Sequence, residues 1–144
     1  MNTTGLLLVS HGEFAKAALA SAFMITGTQK DVIALGLAED TSLETIEEAI
    51  LQSYRELKTR CEEVIILCDI YGGTPFNAIS RNLLKGMQAI AYTGLSLPLL
   101  IDLLLSRDLQ HDEITARIVE THNLALQPIH VIMESNCEDE ELEL

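Results

Sequence analysis

Two short segments carry the residue types that could do chemistry. The first is Ser10-His11-Gly12-Glu13, and the second runs from Asp69 to Pro75 with the sequence DIYGGTP. Histidine is a good nucleophile near neutral pH, because much of its imidazole is uncharged there. For one ring nitrogen to attack, the other must hold the proton, and a carboxylate that accepts this proton fixes the tautomer. His11 is therefore a candidate nucleophile, and Asp69 is a candidate for the carboxylate that orients it.

The glycines and the threonine after Asp69 indicate what such a nucleophile would attack. The pair Gly72-Gly73 allows a tight backbone turn close to a ligand. Thr74-Pro75 predicts a helix start, with Thr74 as the N-cap and Pro75 in the first helical position. Free amides in a glycine turn and at a helix N-terminus attract phosphoryl groups, and the Thr74 hydroxyl could donate another hydrogen bond. A nucleophile, an orienting carboxylate and an oxyanion-binding turn are together the set expected of a phosphohistidine site.

Each of these residues also has a purely structural interpretation. A lone histidine at a strand end is often bonded to a carbonyl group, Asp69 could cap a turn, and residues 72–75 could be an ordinary strand-to-helix connection. Neither the other three histidines nor the three cysteines show the spacing of metal ligands. No Gly-x-Gly-x-x-Gly or Walker A sequence follows a strand. We therefore predict no metal and no organic cofactor.

Both segments directly follow predicted strands in a regular alternation of strands and helices. We expect strands at residues 5–9, 31–37, 64–68, 87–92 and 129–133, and helices at residues 13–25, 41–60, 75–85, 96–106 and 112–121. This pattern predicts an α/β fold, a doubly wound three-layer α/β/α sandwich with a mostly parallel sheet. The first and third strands of such sheets are often neighbours at the switch point, where ligands bind beyond the carboxyl ends. His11 and Asp69 would then face one crevice.

Composition and charge exclude several kinds of partner. The formal net charge of −13 argues against nucleic acid, whose phosphates demand Lys and Arg. The longest apolar stretch, residues 95–105, is too short to span a bilayer, so we predict no direct membrane insertion. The N-terminus lacks a secretion-signal pattern and the cysteines suggest no disulfide framework, which favours the cytoplasm. We predict one domain over residues 1–133 and an acidic, solvated tail over residues 134–144.

The two segments resemble the signatures of a known protein family. Residues 6–15 are similar to the N-terminus of mannose-family IIA domains of sugar phosphotransferase systems, and residues 69–78 are similar to the second signature of that family. The resemblance implies that His11 accepts a phosphoryl group from the phosphocarrier protein HPr and passes it to a histidine of a IIB domain. It also implies that Asp69 is the hydrogen-bonded partner of His11 and that residues 72–74 hold the phosphoryl group.

The resemblance further implies an assembly and a place in sugar uptake. Members of the family are homodimers whose last strand is exchanged between subunits, and residues 129–133 are the matching segment here. Because the chain ends in an acidic tail, we expect the IIB subunit to be a separate polypeptide. Residues of a IIA subunit never touch the sugar, so they do not identify it.

Other functions of a histidine at this position remain open. The phosphotransfer subunit of the PTS-dependent dihydroxyacetone kinase also ends its first strand in a histidine, but its second segment resembles Met-Gly-Ser-Ala rather than the Gly-Gly-Thr-Pro found here. A IIA-like domain that only senses phosphorylation would share both segments. A hydrolase with a phosphohistidine intermediate would need an arginine to clamp the phosphate, and this arginine is missing, since Ser-His-Gly stands here in place of the Arg-His-Gly of histidine phosphatases. Arg81, one to two turns into the third predicted helix, either reaches the crevice mouth or is solvated.

Overall fold

The computed structural model describes residues 2–130, in which strands and helices alternate. The strands are β1 (Thr4–His11), β2 (Val32–Leu37), β3 (Glu63–Cys68) and β4 (Ile90–Thr93). The helices are α1 (Phe14–Thr26), α2 (Leu43–Lys58), α3 (Gly73–Leu84), α4 (Leu97–Leu104) and α5 (His111–Ala125). Each corresponds to a predicted element. Within this part of the chain, no helix is long and apolar enough to cross a bilayer.

The C-terminal predictions fall mostly outside the described residues. The expected fifth strand extends over residues 129–133, and only Ile129 and His130 are described; both are exposed and neither belongs to a strand. The domain boundary at residue 133 and the acidic tail lie entirely outside the described range. These remain predictions.

The four strands form one sheet in the order β2-β1-β3-β4, and all three pairings are parallel. The predicted α/β class and the parallel sheet are therefore confirmed. The chain runs outward from β1 to β2 on one side and from β3 to β4 on the other, so the switch point lies between β1 and β3. In the register of this central pair, Val9 is opposite Cys68. The segments that follow these two residues consequently leave the sheet side by side.

Helices cover both faces of the sheet and give it three layers. On one face, Leu6 and Leu8 of β1 belong to the apolar cluster that includes α1, α4 and α5 residues. On the other face, Leu7 and Val9 belong to the cluster formed with α2 and α3. All four side chains are completely buried, and burial of a leucine or valine contributes about 1.5–3 kcal/mol. β1 is thus a fixed base for His11 at its end.

The start of α3 differs from its prediction. The helix begins at Gly73 with Gly72 as its N-cap, and no side chain caps it, so Thr74 as N-cap and Pro75 in the first position are both wrong. Gly72 and Gly73 have φ angles of +84° and +86°, which side-chain-bearing residues rarely adopt, so the backbone of the two glycines makes the bend into α3. The Thr74 hydroxyl is not used as a cap.

A buried carboxylate ties α2 to α3. Glu47 of α2 is only 7% exposed, and its oxygens lie 3.0 Å from Arg81 Nε and 2.6 Å from Lys85 Nζ. The side-chain amide of Asn82 also donates to the Glu47 backbone carbonyl at 3.0 Å. These contacts fix the two helices whose N-termini flank the end of β1. They also hold Arg81 against Glu47, so of the two alternatives for Arg81, the reach to the crevice mouth is not found.

Candidate active site

His11 and Asp69 meet at the carboxyl ends of the two central strands. His11 is the last residue of β1, and Asp69 directly follows β3. The Nδ1 atom of the His11 ring lies 2.8 Å from Oδ2 of Asp69. The backbone N–H of His11 donates to the same oxygen at 2.9 Å. The sheet topology therefore brings together two residues that are 58 positions apart.

The Asp69 carboxylate is held ionised by the groups around it. Burial raises the pKa of Asp69, but hydrogen bonds from the backbone N–H and ring of His11 and from the backbone N–H of Ile70 outweigh burial and lower the pKa below its usual value. The Ile70 N–H lies 2.9 Å from Oδ1. The Cys68 thiol, whose pKa burial raises to about 11, also donates to Oδ1 at 3.6 Å. Such a carboxylate can only accept hydrogen bonds.

This pairing determines which nitrogen of His11 is available for chemistry. Because the Asp69 oxygen must accept, a neutral His11 ring carries its proton on Nδ1, which leaves the lone pair on Nε2. The side chain of His11 is 48% exposed, and Nδ1 is the nitrogen turned toward Asp69. A Cβ added to Gly73 would lie 3.3 Å from Cε1 and 3.4 Å from Nε2. Gly73 therefore allows the backbone of the α3 turn to pack directly against the reactive edge of the ring.

The loop after His11 is fixed by contacts that the sequence did not reveal. The buried hydroxyl of Ser10 accepts a hydrogen bond from the Ala15 N–H at 2.7 Å, in the first turn of α1. The Gly12 N–H donates to the Leu37 carbonyl at the end of β2 at 2.8 Å. A Cβ on Gly36 would collide with the Gly12 carbonyl oxygen. The adjacent strand β2 thus also positions the histidine.

A depression of about 500 Å³ opens beside His11. It is lined by residues from three loops: His11, Gly12, Leu37, Ala38, Glu39, Thr41 and Thr74. The contribution of residues 37–41 was not anticipated, although they follow β2, whose carboxyl end is next to that of β1. The depression is therefore bordered by the end of β2 as well as by the ends of β1 and β3.

Of the three predicted phosphate-binding residues, one lines the depression and two form the adjacent turn at the start of α3. Thr74 lines the depression, and Gly73 lies so near the His11 ring that an added Cβ would contact it. Gly72 is the N-cap of α3 and has no contact within 4 Å of a hypothetical Cβ, so its place is in the turn rather than against the ring. The Gly73 and Thr74 amides are in the first turn of α3, where N–H groups have no intrahelical acceptor. They can bind an oxyanion together with the Thr74 hydroxyl.

The charged residues near the site are acidic. Glu13, which follows the histidine loop, is exposed to solvent, and Glu39 lines the depression. Among residues 2–130, no group of three or more His, Cys, Asp or Glu side chains could hold a metal ion. The chemistry that this geometry supports is nucleophilic attack by Nε2 with an oxyanion-binding helix start alongside.

The known proteins that this chain resembles are components of phosphotransferase systems. The family model described as PTS system fructose IIA component, EIIA-man, matches residues 5–127. The fructose-specific EIIA component of Bacillus subtilis is 29% identical over 103 residues, which are 72% of this chain and 70% of that protein. The mannose-specific EIIAB component of Escherichia coli K12 is 31% identical over 121 residues, covering 83% of this chain but 37% of that protein.

A solved structure shares the fold. The PTS IIA protein associated with the fucose utilization operon of Streptococcus pneumoniae superposes with a TM-score of 0.79 at 30% identity. The match covers 88% of this chain and 93% of that one.

Proposed function

This chain belongs to the EIIA-man family of phosphotransferase-system IIA components, and we propose that it is the phosphocarrier subunit of a mannose-family sugar transporter. In this proposal His11 accepts a phosphoryl group from phospho-HPr and passes it to a histidine of a IIB subunit during sugar uptake. The proteins that it resembles are named as components of sugar phosphotransferase systems, which favours transport over the regulatory and dihydroxyacetone-kinase alternatives.

The first transfer is a displacement at phosphorus. The Nε2 lone pair of His11 forms a bond to phosphorus while the phosphorus–nitrogen bond of the donor phosphohistidine breaks. The electron pair of the broken bond returns to the donor imidazole. Positive charge develops on the His11 ring, and the Asp69 carboxylate at 2.8 Å from Nδ1 stabilises it. The second transfer reverses these roles, with the IIB histidine as the nucleophile.

The turn at the start of α3 stabilises the transferred group. Phosphoryl transfer is catalysed mainly by positioning and by donors directed at the equatorial oxygens. In the proposed site these donors are the Gly73 and Thr74 amides and the Thr74 hydroxyl, and Gly72 allows the turn that directs them. Asp69 does not exchange a proton; it holds the Nδ1 proton in place throughout.

One observation carries the proposal: Asp69 occupies Nδ1 of His11 and leaves Nε2 free beside the helix start. The test is the intact mass of the protein after incubation with enzyme I, HPr and phosphoenolpyruvate. We expect the wild type to gain one acid-labile phosphoryl group and His11→Ala to gain none. His111→Ala, which removes another exposed histidine, is the matched control and should be phosphorylated like the wild type. Phosphorylation of His11→Ala would refute the assignment.

The proposal includes a homodimer in which residues 129–133 pair with the partner subunit. Its support is the edge of the sheet, since among the described residues β4 pairs only with β3. An apolar cavity of about 190 Å³ adjoins β4 and is bordered by α3 residues such as Phe76, Ile79 and Leu83. Light scattering should give the mass of a dimer for the full chain and of a monomer for a chain truncated after Pro128. A monomeric full chain would contradict this part of the proposal.

A further inference from the structure

A second hydroxyl group lines the depression beside His11, and it comes from a loop that the proposed mechanism does not use. His11 ends β1, Thr74 lies in the first turn of α3 after β3, and Thr41 lies in the loop after β2. All three line the depression. Because the strand order is β2-β1-β3, the histidine lies between the other two segments. Thr41 and Thr74 therefore approach the depression from the two sides of the histidine.

Few side chains around the depression can donate a hydrogen bond. The glycine and the aliphatic residues in its lining have no side-chain donor, and a carboxylate such as that of Glu39 accepts hydrogen bonds. Apart from His11 itself, only Thr41 and Thr74 remain as side-chain donors in the lining. A transferred phosphoryl group carries negative charge on three oxygens, and the start of α3 offers donors on one side alone.

The oxygen of Thr41 is held in place by its own loop. The backbone N–H of Thr41 donates to the Ala38 carbonyl at 3.1 Å, and the Ala38 N–H donates to Oγ1 of Thr41 at 3.1 Å. These two hydrogen bonds close the loop between β2 and α2, and Thr41 is half-buried in it. A donor that is fixed before the reaction needs no reorganisation when charge arrives.

The fold leaves the hydroxyl proton of Thr41 unused. A hydroxyl group has one proton to donate and two lone pairs that accept. In its bond with Ala38 the Thr41 oxygen is the acceptor, and within residues 2–130 its proton has no acceptor. Thr41 is not the cap of α2 either, since Ser42 is the N-cap and accepts from the Thr45 N–H. The proton is therefore available to a ligand in the depression.

We propose that the Thr41 hydroxyl donates a hydrogen bond to an oxygen of the phosphoryl group on Nε2 of His11. The hydroxyls of Thr41 and Thr74 then hold this group from two sides, and the amides at the start of α3 complete the set of donors. Thr41 makes and breaks no covalent bond. The inference rests on the proposed phosphocarrier function and adds to it a phosphoryl-binding residue from the loop between β2 and α2.

The test is the single-turnover rate of transfer from phospho-HPr to a set of threonine variants. Thr41→Val removes the hydroxyl and should slow transfer about fivefold to tenfold, the effect of losing one hydrogen bond. Thr41→Ser keeps the hydroxyl and should transfer at nearly the wild-type rate. The matched control is Thr45→Val, because the Thr45 hydroxyl pairs with Ser42 at 2.8 Å and does not line the depression. We expect this control to transfer like the wild type.

A further variant separates phosphoryl binding from support of the loop. Thr41→Asp keeps an acceptor for the Ala38 N–H but has no proton to donate at neutral pH, so it should be at least as slow as Thr41→Val. In the phosphorylated protein, the ³¹P signal of the phosphohistidine should move in Thr41→Val and stay in place in Thr45→Val.

Three results would overturn the inference: a wild-type rate in Thr41→Val, an equal loss in Thr45→Val, or a rate restored by Thr41→Asp. The last result would mean that Thr41 only supports the loop. Failure of the proposed function gives a different result, because a wild type that gains no phosphoryl group from phospho-HPr contradicts the phosphocarrier role itself.

Discussion

A single oxygen atom of Asp69 accepts hydrogen bonds from both the backbone N–H of His11 at 2.9 Å and its ring Nδ1 at 2.8 Å. One carboxylate therefore fixes the position of the end of β1. It also fixes the tautomer and the orientation of the His11 ring. Since Asp69 is itself held by the Ile70 N–H, the ring is attached to the backbone of β3 as well as to that of β1. This explains how a histidine that is about half exposed can keep one orientation.

Replacement of Asp69 by Asn should slow phosphoryl acceptance without unfolding the protein. A hydrogen bond to a charged group contributes about 1.5–3 kcal/mol, so its loss should reduce the rate about tenfold to a hundredfold. The measurement is the single-turnover rate of transfer from phospho-HPr, with Asp108→Asn as the control at an exposed position. An Asp69→Asn variant with the wild-type rate would show that the carboxylate has no part in catalysis.

The same substitution should change the dependence of stability on pH. The folded-state pKa of Asp69 is lower than the usual 3.8, so ionised Asp69 stabilises the folded state fully above that value. The stabilisation disappears as the pH falls through the folded-state pKa. In thermal melts from pH 2 to 7, the melting temperature of the wild type should rise relative to that of Asp69→Asn as the pH increases. A constant difference across this range would contradict the ionised pairing.

The two glycines of the α3 turn offer a matched pair of substitutions. Both have positive φ angles, but only a Cβ on Gly73 would contact the His11 ring, and a Cβ on Gly72 would meet nothing within 4 Å. Each Ala substitution should cost about 1–3 kcal/mol in backbone strain. Only Gly73→Ala should displace the ring, which can be followed by the NMR signals of the imidazole. We expect its transfer rate to fall well below that of Gly72→Ala. Equal ring shifts in the two variants would refute this account.

Removal of the Thr74 hydroxyl tests its role in binding the phosphoryl group separately from any role in the stability of the fold. Among the described residues it makes no hydrogen bond and caps no helix, so Thr74→Val should leave the melting temperature nearly unchanged. The same variant should slow phosphoryl acceptance about fivefold to tenfold, the effect of losing one hydrogen bond of about 1–1.5 kcal/mol. Thr74→Ser keeps the hydroxyl and should restore the rate. A marked loss of stability in Thr74→Val would mean that the hydroxyl does cap α3.

The contact between α2 and α3 predicts a second pH-dependent contribution to stability. The hydrogen bond from Lys85, and the nearby charges of Arg81 and Lys85, lower the pKa of Glu47 below its usual 4.5 despite burial. The ionised carboxylate therefore stabilises the fold above pH 4.5, and this contribution is lost as the pH falls through the folded-state pKa. Glu47→Gln should melt earlier than the wild type at pH 7, and the difference should vanish in acid. Glu48→Gln, at the exposed neighbouring position, should show little change.

The sequence was sufficient for the fold class and for the meeting of His11 with Asp69. Continuous apolar runs such as residues 5–9 and 64–68 identify strands buried on both faces, and the switch-point rule places their ends together. The other residues of the site were harder to predict from the sequence. The helix start was misplaced because the chain bends into α3 through the positive φ angles of Gly72 and Gly73, with no side-chain cap. A Thr-Pro pattern does not record backbone angles.

Contacts between distant segments were also beyond prediction. The ion pairs of the buried Glu47 carboxylate, for example, are made with Arg81 and Lys85, which lie more than thirty positions away. The role of Ser10 depends on a hydrogen bond across a turn whose shape Gly12 determines. In both cases the hydrogen-bonding partner of the side chain is set by tertiary packing, which the local sequence pattern does not contain.

The most direct test of the central claim is the identity of the nitrogen that carries phosphorus. The protein labelled with ¹⁵N-histidine would be phosphorylated by enzyme I, HPr and phosphoenolpyruvate, and the coupling of ³¹P to the ring nitrogens would be measured by NMR. Because Asp69 holds the Nδ1 proton at 2.8 Å, we predict phosphorus on Nε2 of His11. Phosphorus on Nδ1, or on any other histidine, would contradict the account.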